Sequence, residues 1–192
     1  MKLSKIGALC KAQKRFTLCT VRGEQWLSDG YGVYPLGDLP RLDGENIFII
    51  FDVPKDKREK FYFEEKWGGL ENIDFSDVAE GDKLLKISPV WLVVSGAVLL
   101  PLISEGRVLF VDKKYLTPFD HAVELYERKS PGGNSFIVAK QGMINCGMIL
   151  PTTFGDAALA NQLCEIGELI AAATAPSDEP SQMSFDDEDE EE

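Results

Sequence analysis

Residues 3–36 read LSKIGALCKAQKRFTLCTVRGEQWLSDGYGVYPL, and the hydrophobic period changes within this stretch. Up to Cys10, apolar side chains recur every three or four residues, which places them on one face of a helix predicted over residues 3–15. β-branched and aromatic residues then become frequent, and residues 16–21 and 25–36 are predicted strands on either side of a turn at 22–24. A helix followed by a β-meander is therefore expected.

Further strand-like segments lie on both sides of a polar, acidic connection at residues 68–82. They cover residues 46–53, 60–65, 83–87, 107–111, 123–128, 136–139 and 143–150. The apolar run 90–103 is shorter than the roughly 20 residues of a bilayer span, so we expect a buried strand or strand pair broken near Gly96. We interpret residues 68–82 as a solvated linker between two halves, about 1–67 and 83–151.

The chain closes with an amphipathic helix and an acidic tail. Leu159, Leu163, Ile166 and Ile170 mark the helix, which is predicted over about 156–173. Together with a short helix or turn at 112–120, these elements predict one α+β domain over residues 1–175.

The tail, residues 176–192, holds nine acidic side chains and no basic one. The whole chain has 32 acidic and 20 basic residues, for a net charge of −12. Without the nine tail acids, 23 acidic residues face the same 20 basic ones, so the body carries only −3. A run of like charges repels itself and buries no apolar surface, so we expect a disordered arm that solvates the protein or meets a basic surface.

No motif in the chain indicates an enzyme. The four cysteines form no Cys-x-x-Cys pair, and we expect them to be small core residues rather than metal ligands. The single histidine, His121, follows Asp120 with no placed nucleophile, and no glycine-rich loop continues into the Lys-Ser or Lys-Thr of a phosphate-binding loop. We therefore predict a non-enzymatic protein without metal or cofactor, located in the cytoplasm and not in a membrane.

Basic residues on the first helix are the candidate contact with DNA. Lys5, Lys11 and Arg15 are predicted on the face opposite the apolar one, with Lys2 and Lys14 on its flanks. Lysines neutralise phosphates, which gives sequence-independent binding that weakens with salt. A solvated helix face is the simpler alternative. The full candidate set is Lys2, Lys5, Lys11, Lys14, Arg15, Lys113 and Lys114.

Several short stretches resemble DNA sliding clamps. Trp26-Leu27-Ser28-Asp29-Gly30-Tyr31 is similar to their strand-end Asp-Gly-Tyr pattern. The order found in the last part of a clamp subunit is resembled by VDKKYL at 111–116, VELY at 123–126, FIVA at 136–139 and MILP at 148–151. The resemblance implies two repeats of a helix and a four-stranded sheet, with helices towards DNA and sheets outside. The chain has room for about one such domain, so it implies more copies per ring or a monomeric processivity factor.

The tail contains a second resemblance. Gln182, Met183 and Phe185 place a glutamine three residues before an aromatic side chain, which resembles the short motifs by which replication proteins dock on sliding clamps. These three residues are the candidate partner-binding site.

The leading hypothesis is an accessory factor of DNA replication or recombination from a phage or prophage. It would bind DNA through the first helix and replication or recombination proteins through a sheet edge or the tail, and it could form homo-oligomers. One alternative is a single-stranded DNA-binding protein, with bases stacked on aromatic residues. Its candidates are Trp26, Tyr31, Tyr34, Phe61 and Phe63. Another is a protein-binding or inhibitory module without nucleic-acid contact.

Overall fold

The computed structural model of the protein describes residues 1–37, 39–104, 107–119, 123–154 and 157–173. Within these ranges the predicted α+β class is confirmed. The helices are α1 Leu3–Gln13, α2 Gly44–Ile50 and α3 Ala157–Ala173, with 3-10 helices η1 Lys55–Lys60 and η2 Lys113–Leu116. The strands are β1 Arg15–Val21, β2 Glu24–Ser28, β3 Gly32–Pro35, β4 Tyr62–Trp67, β5 Lys83–Leu84, β6 Lys86–Ile87, β7 Leu92–Val94, β8 Ala97–Ser104, β9 Arg107–Asp112, β10 Glu124–Lys129, β11 Ser135–Gln141 and β12 Ile144–Ile149.

The predicted first helix is confirmed, but it ends two residues early. Lys14 has a φ of 51°, and its N–H bonds to the carbonyls of Cys10 and Lys11, which closes α1 and turns the chain into β1. A left-handed residue at this position is a common helix stop. The predicted turn after β1 is also confirmed: Arg22 and Gly23 have φ values of 52° and 88°. Positive φ at both central residues is what the type I′ hairpin turn requires.

Eight of the described strands form one sheet, the main sheet, in the order β4-β1-β2-β3-β12-β11-β10-β5. Two antiparallel meanders, β1-β2-β3 and β10-β11-β12, meet where Val33 of β3 pairs with Met148 of β12. β4 does not extend the first meander beyond β3. It returns to pair with β1 in parallel, with α2 and η1 in the connection, since a parallel pair needs a crossover.

The strand predicted over 46–53 is wrong, because these residues form α2 and the turn that follows it. Asp43 caps the helix: its Oδ1 accepts hydrogen bonds from the Asn46 backbone N–H and from its side-chain amide, both at 2.8 Å. Ile47 and Phe48 are buried, whereas Ile49 and Ile50 are exposed. Four consecutive apolar residues have no period that separates a strand from a short buried helix, and the cap at Asp43 accounts for the helix.

The two faces of the main sheet carry separate apolar clusters. The inner face, which includes Leu18, Leu27 and Ile137, packs against α1, α2 and η2 in the largest core of the described chain. The outer face carries Cys19, Trp26, Val33, Phe136, Val138 and Met148. Strand side chains alternate between faces, so both clusters come from the same strands.

Residues 68–82 cover the outer face and are not the solvated linker that we expected. Leu70, Ile73 and Phe75 pack on its apolar cluster. Beside them the Asp82 carboxylate, also buried, accepts two hydrogen bonds from Arg128 of β10, at 2.7 and 2.6 Å, and one from Lys140 of β11 at 2.6 Å. Buried charged groups across the sheet hold this segment in place, and no spacing in the sequence indicates partners about fifty residues away.

The remaining strands form a small sheet in which β8 pairs with β9 on one edge and with β6 and β7 on the other. The predicted break near Gly96 is confirmed, since Val94 pairs with Ala97 across the two-residue turn Ser95-Gly96. Leu163 of the confirmed helix α3 packs with Leu99 and Phe110 on one face of the small sheet. None of the helices in the described ranges has both the length and the apolar character that a membrane crossing requires.

Candidate nucleic-acid interface

Helix α1 packs on the inner face of the main sheet, with its apolar side towards the sheet. Ile6, Leu9 and Cys10 are buried, and Gly7 is the point of closest approach to α2, because a Cβ at this position would overlap the Phe51 ring. The confirmed burial of Cys10 raises the pKa of its thiol through desolvation, so the thiol stays protonated and acts as an apolar core group.

The solvent-facing side of α1 is basic. Lys2, Lys5, Lys11 and Lys14 are exposed, and none of them forms an ion pair with any residue that the structure describes. At about 3.6 residues per turn, Lys5 and Lys11 lie on the two flanks of a ridge of small exposed residues. This ridge consists of Ser4, Ala8 and Ala12. Small side chains between lysines leave room for a phosphate backbone.

Arg15 does not belong to this face. It is the first residue of β1, and its side chain points to the outer face of the main sheet. There its Nε donates to Thr17 Oγ1 at 3.3 Å, and its guanidinium carbon lies 4.9 Å from the centre of the Tyr62 ring. Because the helix ends before Arg15, the period of α1 no longer determines where this side chain points.

Helix η2, which carries Lys113 and Lys114, is hydrogen-bonded to α1. The Lys2 N–H donates to the Pro118 carbonyl at 2.7 Å, and Gln13 Nε2 donates to Tyr115 Oη at 3.4 Å. These contacts join the two ends of α1 to the η2 segment. Four of the predicted lysines lie in or next to α1 and two lie in η2, where Lys114 has an ion pair, 2.8 Å long, with Asp112.

The Asp-Gly-Tyr turn at residues 29–31 and the neighbouring strand β3 fix the position of η2. Asp29 is 97% buried, and its Oδ1 accepts hydrogen bonds from the N–H groups of Tyr31 and Gly32 at 2.9 and 2.8 Å. Desolvation raises the pKa of this carboxyl group above its usual range. Tyr34 donates its hydroxyl to the Tyr115 carbonyl at 2.8 Å, which ties η2 to β3. Asp29 and Tyr34 are thus buried supports of η2, whereas Gly30 and Tyr31 of the turn are exposed.

The aromatic set expected for single-stranded DNA is not assembled. Trp26 and Tyr34 are buried on opposite faces of the main sheet, whereas Phe61 and Phe63 pack against the inner core. Tyr31, the exposed member, is tilted against Tyr115 with ring centres 6.1 Å apart. Base stacking on this set is therefore a wrong prediction, because strand alternation sends neighbouring aromatic residues into separate cores.

Sequence reasoning missed one exposed aromatic residue at the interface. Trp91 precedes β7, and Lys113 Nζ lies 3.7 Å from the centre of its ring. The two residues are 22 positions apart in the sequence. The only sequence signal was a tryptophan in an apolar run that has neither helical nor strand periodicity. His121 and the tail residues Gln182, Met183 and Phe185 lie outside the described residues.

The exposed lysines of α1 carry positive charge that no carboxylate of the described residues neutralises. Over the described ranges, no three His, Cys, Asp or Glu side chains come together in a way that could hold a metal ion. Comparison with protein-family models, with curated proteins and with solved structures finds no match for this chain.

Proposed function

We propose that the protein is a non-enzymatic, cytoplasmic accessory factor of DNA replication or recombination, encoded by a phage or prophage, that holds duplex DNA on the basic face of α1. The observation that carries the proposal is the group of exposed lysines without ion-pair partners among the described residues, on a helix with small residues between them. Lys2 to Lys14 covers about 18 Å at 1.5 Å per residue, a length that reaches several consecutive phosphates.

A clamp-like arrangement of this chain is supported by the order of its elements. A helix precedes each meander, α1 before β1-β2-β3 and η2 before β10-β11-β12, and both helices lie on the inner face of one continuous sheet. The second half departs from this order by the insertion of the small sheet before η2. In such an arrangement the inner face meets DNA and the outer face stays away from it.

Partners of the proposed factor would join at the edge of the main sheet. β4 is an edge strand with exposed Tyr62 and Trp67 at its ends, and an edge strand offers unpaired backbone groups to another chain. A second copy or a replication protein would add a strand here, which is how a chain of this size would build a larger assembly.

The decisive test compares charge removal on the two faces of the sheet. The double variant Lys5→Gln/Lys11→Gln removes two charges from the α1 face, and Arg15→Gln removes one from the outer face. Fluorescence anisotropy with a labelled duplex at several salt concentrations measures affinity and its salt slope. We expect the double variant to bind more weakly and to lose about two units of slope, because each lost phosphate contact removes about one. Arg15→Gln should match the original chain.

Two results would contradict the proposal. Equal losses in both variants would mean that DNA does not lie on α1. No binding of the original chain at low salt would leave a protein-interaction module as the better account.

A further inference from the structure

An open groove lies next to η2. It has a volume of about 530 Å³, within the range of about 300–1,000 Å³ that ligand sites occupy. One wall is the β7–β8 turn, the floor includes Val98, and the other wall is η2. The lining residues are Ser95, Gly96, Ala97, Val98, Asp112, Lys113, Lys114 and Thr117.

A cation of the groove contacts an exposed aromatic ring that lies outside the groove lining. Lys113 lines it and contacts Trp91 at 3.7 Å, and Trp91 keeps 55% of its surface exposed. Val93, the next outward residue of β7, is 74% exposed and pairs with Val98 of the groove floor. An indole held in place by an ammonium group offers an apolar surface beside a positive charge.

The electrostatics of the lining separate the two lysines. Asp112, the acidic residue in the lining, pairs with Lys114 at 2.8 Å and also caps η2 by accepting the Lys114 N–H at 3.1 Å. Lys113 has no carboxylate partner among the described residues. Its ammonium group contacts the Trp91 ring instead. Lys113 is therefore the cation that remains for an anionic ligand.

A nucleotide has the matching chemistry, because it joins a phosphate to a flat base. Bases stack on exposed aromatic side chains with little dependence on sequence, and a lysine nearby neutralises the phosphate. We propose that this groove binds an unpaired nucleotide of a strand that leaves the duplex held on α1, with its phosphate at Lys113 and its base on Trp91. The inference rests on the proposed function, since η2 lines the groove and is joined to α1 by the hydrogen bond from Gln13 to Tyr115.

Tryptophan fluorescence tests the groove directly. The chain contains Trp26, which is buried, and Trp67 and Trp91, which are exposed. In the full chain with Trp67→Phe, titration with oligothymidylate should quench the emission of Trp91. The same titration of a Trp91→Phe chain that retains Trp67 should show no quenching. Anisotropy should also show tighter binding of a duplex with a single-stranded thymidine overhang than of a blunt duplex.

The size of this preference and its loss in variants complete the test. Stacking of one base is expected to give a preference of about 5- to 150-fold. Trp91→Ala and Lys113→Gln should each reduce the preference, while Trp67→Ala, a control at an exposed tryptophan on the β4 edge, should retain it. Circular dichroism establishes that each variant is folded. The side chains of Trp91 and Lys113 both lie at the surface.

The possible results separate this inference from the proposed function. Blunt-duplex binding without a preference for the overhang, or a preference that Trp91→Ala leaves intact, would overturn the groove and leave the proposed function standing. Quenching of Trp91 by oligothymidylate without any binding of blunt duplex would uphold the groove and overturn the proposed function.

Discussion

Asp82 and Arg128 are the centre of the hydrogen bonds that hold residues 68–82 on the sheet. The Asp82 carboxylate meets two buried cations, and Arg128 also donates to the carbonyls of Asp74 and Ser76 at 3.0 and 2.7 Å. Arg128 is 98% buried, so its charge depends on these partners for all the solvation that water would otherwise supply.

The variant Asp82→Asn should lower the free energy of unfolding by about 3 kcal/mol, because it removes the carboxylate that bonds both buried cations and leaves Arg128 only the more distant Asp74 carboxylate, at 3.9 Å. Urea unfolding measures this change. Asp56→Asn, at an exposed carboxylate in η1, should change stability by about 0.5 kcal/mol or less. Equal stability of the two variants would contradict a structural role for the cluster.

The same carboxylate should make the protein sensitive to acid. Burial alone raises the pKa of Asp82, but hydrogen bonds from Arg128 and Lys140 outweigh it and lower the pKa to about 2. Since the folded pKa lies below the unfolded value of about 4, the stabilisation is complete above pH 4 and is lost as the pH falls towards 2. Between pH 6 and pH 2, the free energy of unfolding should therefore fall less steeply for Asp82→Asn than for the original chain.

At the scale of elements, the packing of α1 on α2 depends on the absence of a side chain at Gly7. Gly7→Ala should lower the free energy of unfolding by about 1–3 kcal/mol, because the added Cβ overlaps the Phe51 ring. Helix propensity alone predicts the opposite, a gain of about 1 kcal/mol. Urea unfolding decides between them, with Ser4→Ala on the exposed ridge as the control. A Gly7→Ala chain more stable than the original would contradict the packing described for α1.

Elements with a clear period could be predicted from the sequence, and those set by distant contacts could not. Residues 3–13 repeat at helical spacing and β1 to β3 alternate, so their types follow from the pattern. The run around Ile47 has no period and becomes α2 through its cap. The parallel return of β4 to β1 and the closure of residues 68–82 by Arg128 depend on partners that local pattern does not reveal.

The candidate site shows the same division. Lys5 and Lys11 could be placed because the helix fixes their directions, whereas Arg15 lies two residues beyond the helix end and points to the other face. Lys113 and Lys114 were selected from the sequence, but their position beside α1 depends on contacts between residues about one hundred positions apart. Trp91 was not selected, because an apolar run normally indicates a buried strand.

For the molecule as a whole, the distribution of charge predicts an effect of the tail on DNA binding. Nine of the acidic residues lie between 176 and 192, and on this account they compete with DNA for the basic face of the same molecule. Replacement of all nine by Asn or Gln keeps the length and removes the charge. We expect the neutral-tail chain to bind duplex more tightly at low salt, with the difference reduced at high salt, where screening is stronger.

Anisotropy at two salt concentrations measures this effect, and a chain with the nine acids in shuffled order is the matched control. Affinity that does not change with tail charge would mean that the arm does not compete with DNA.

The pairing of β3 with β12 also determines how the chain can fold. Val33 and Met148 are 115 positions apart, and they form the seam between the two meanders of the main sheet. A chain still being synthesised can form β1-β2-β3 early, but β3 remains an open edge until the last strand arrives. Contacts of such long range slow folding, and an open edge in the meantime is prone to aggregation. Translation speed and chaperone supply should therefore govern the yield of this protein more than its final stability does.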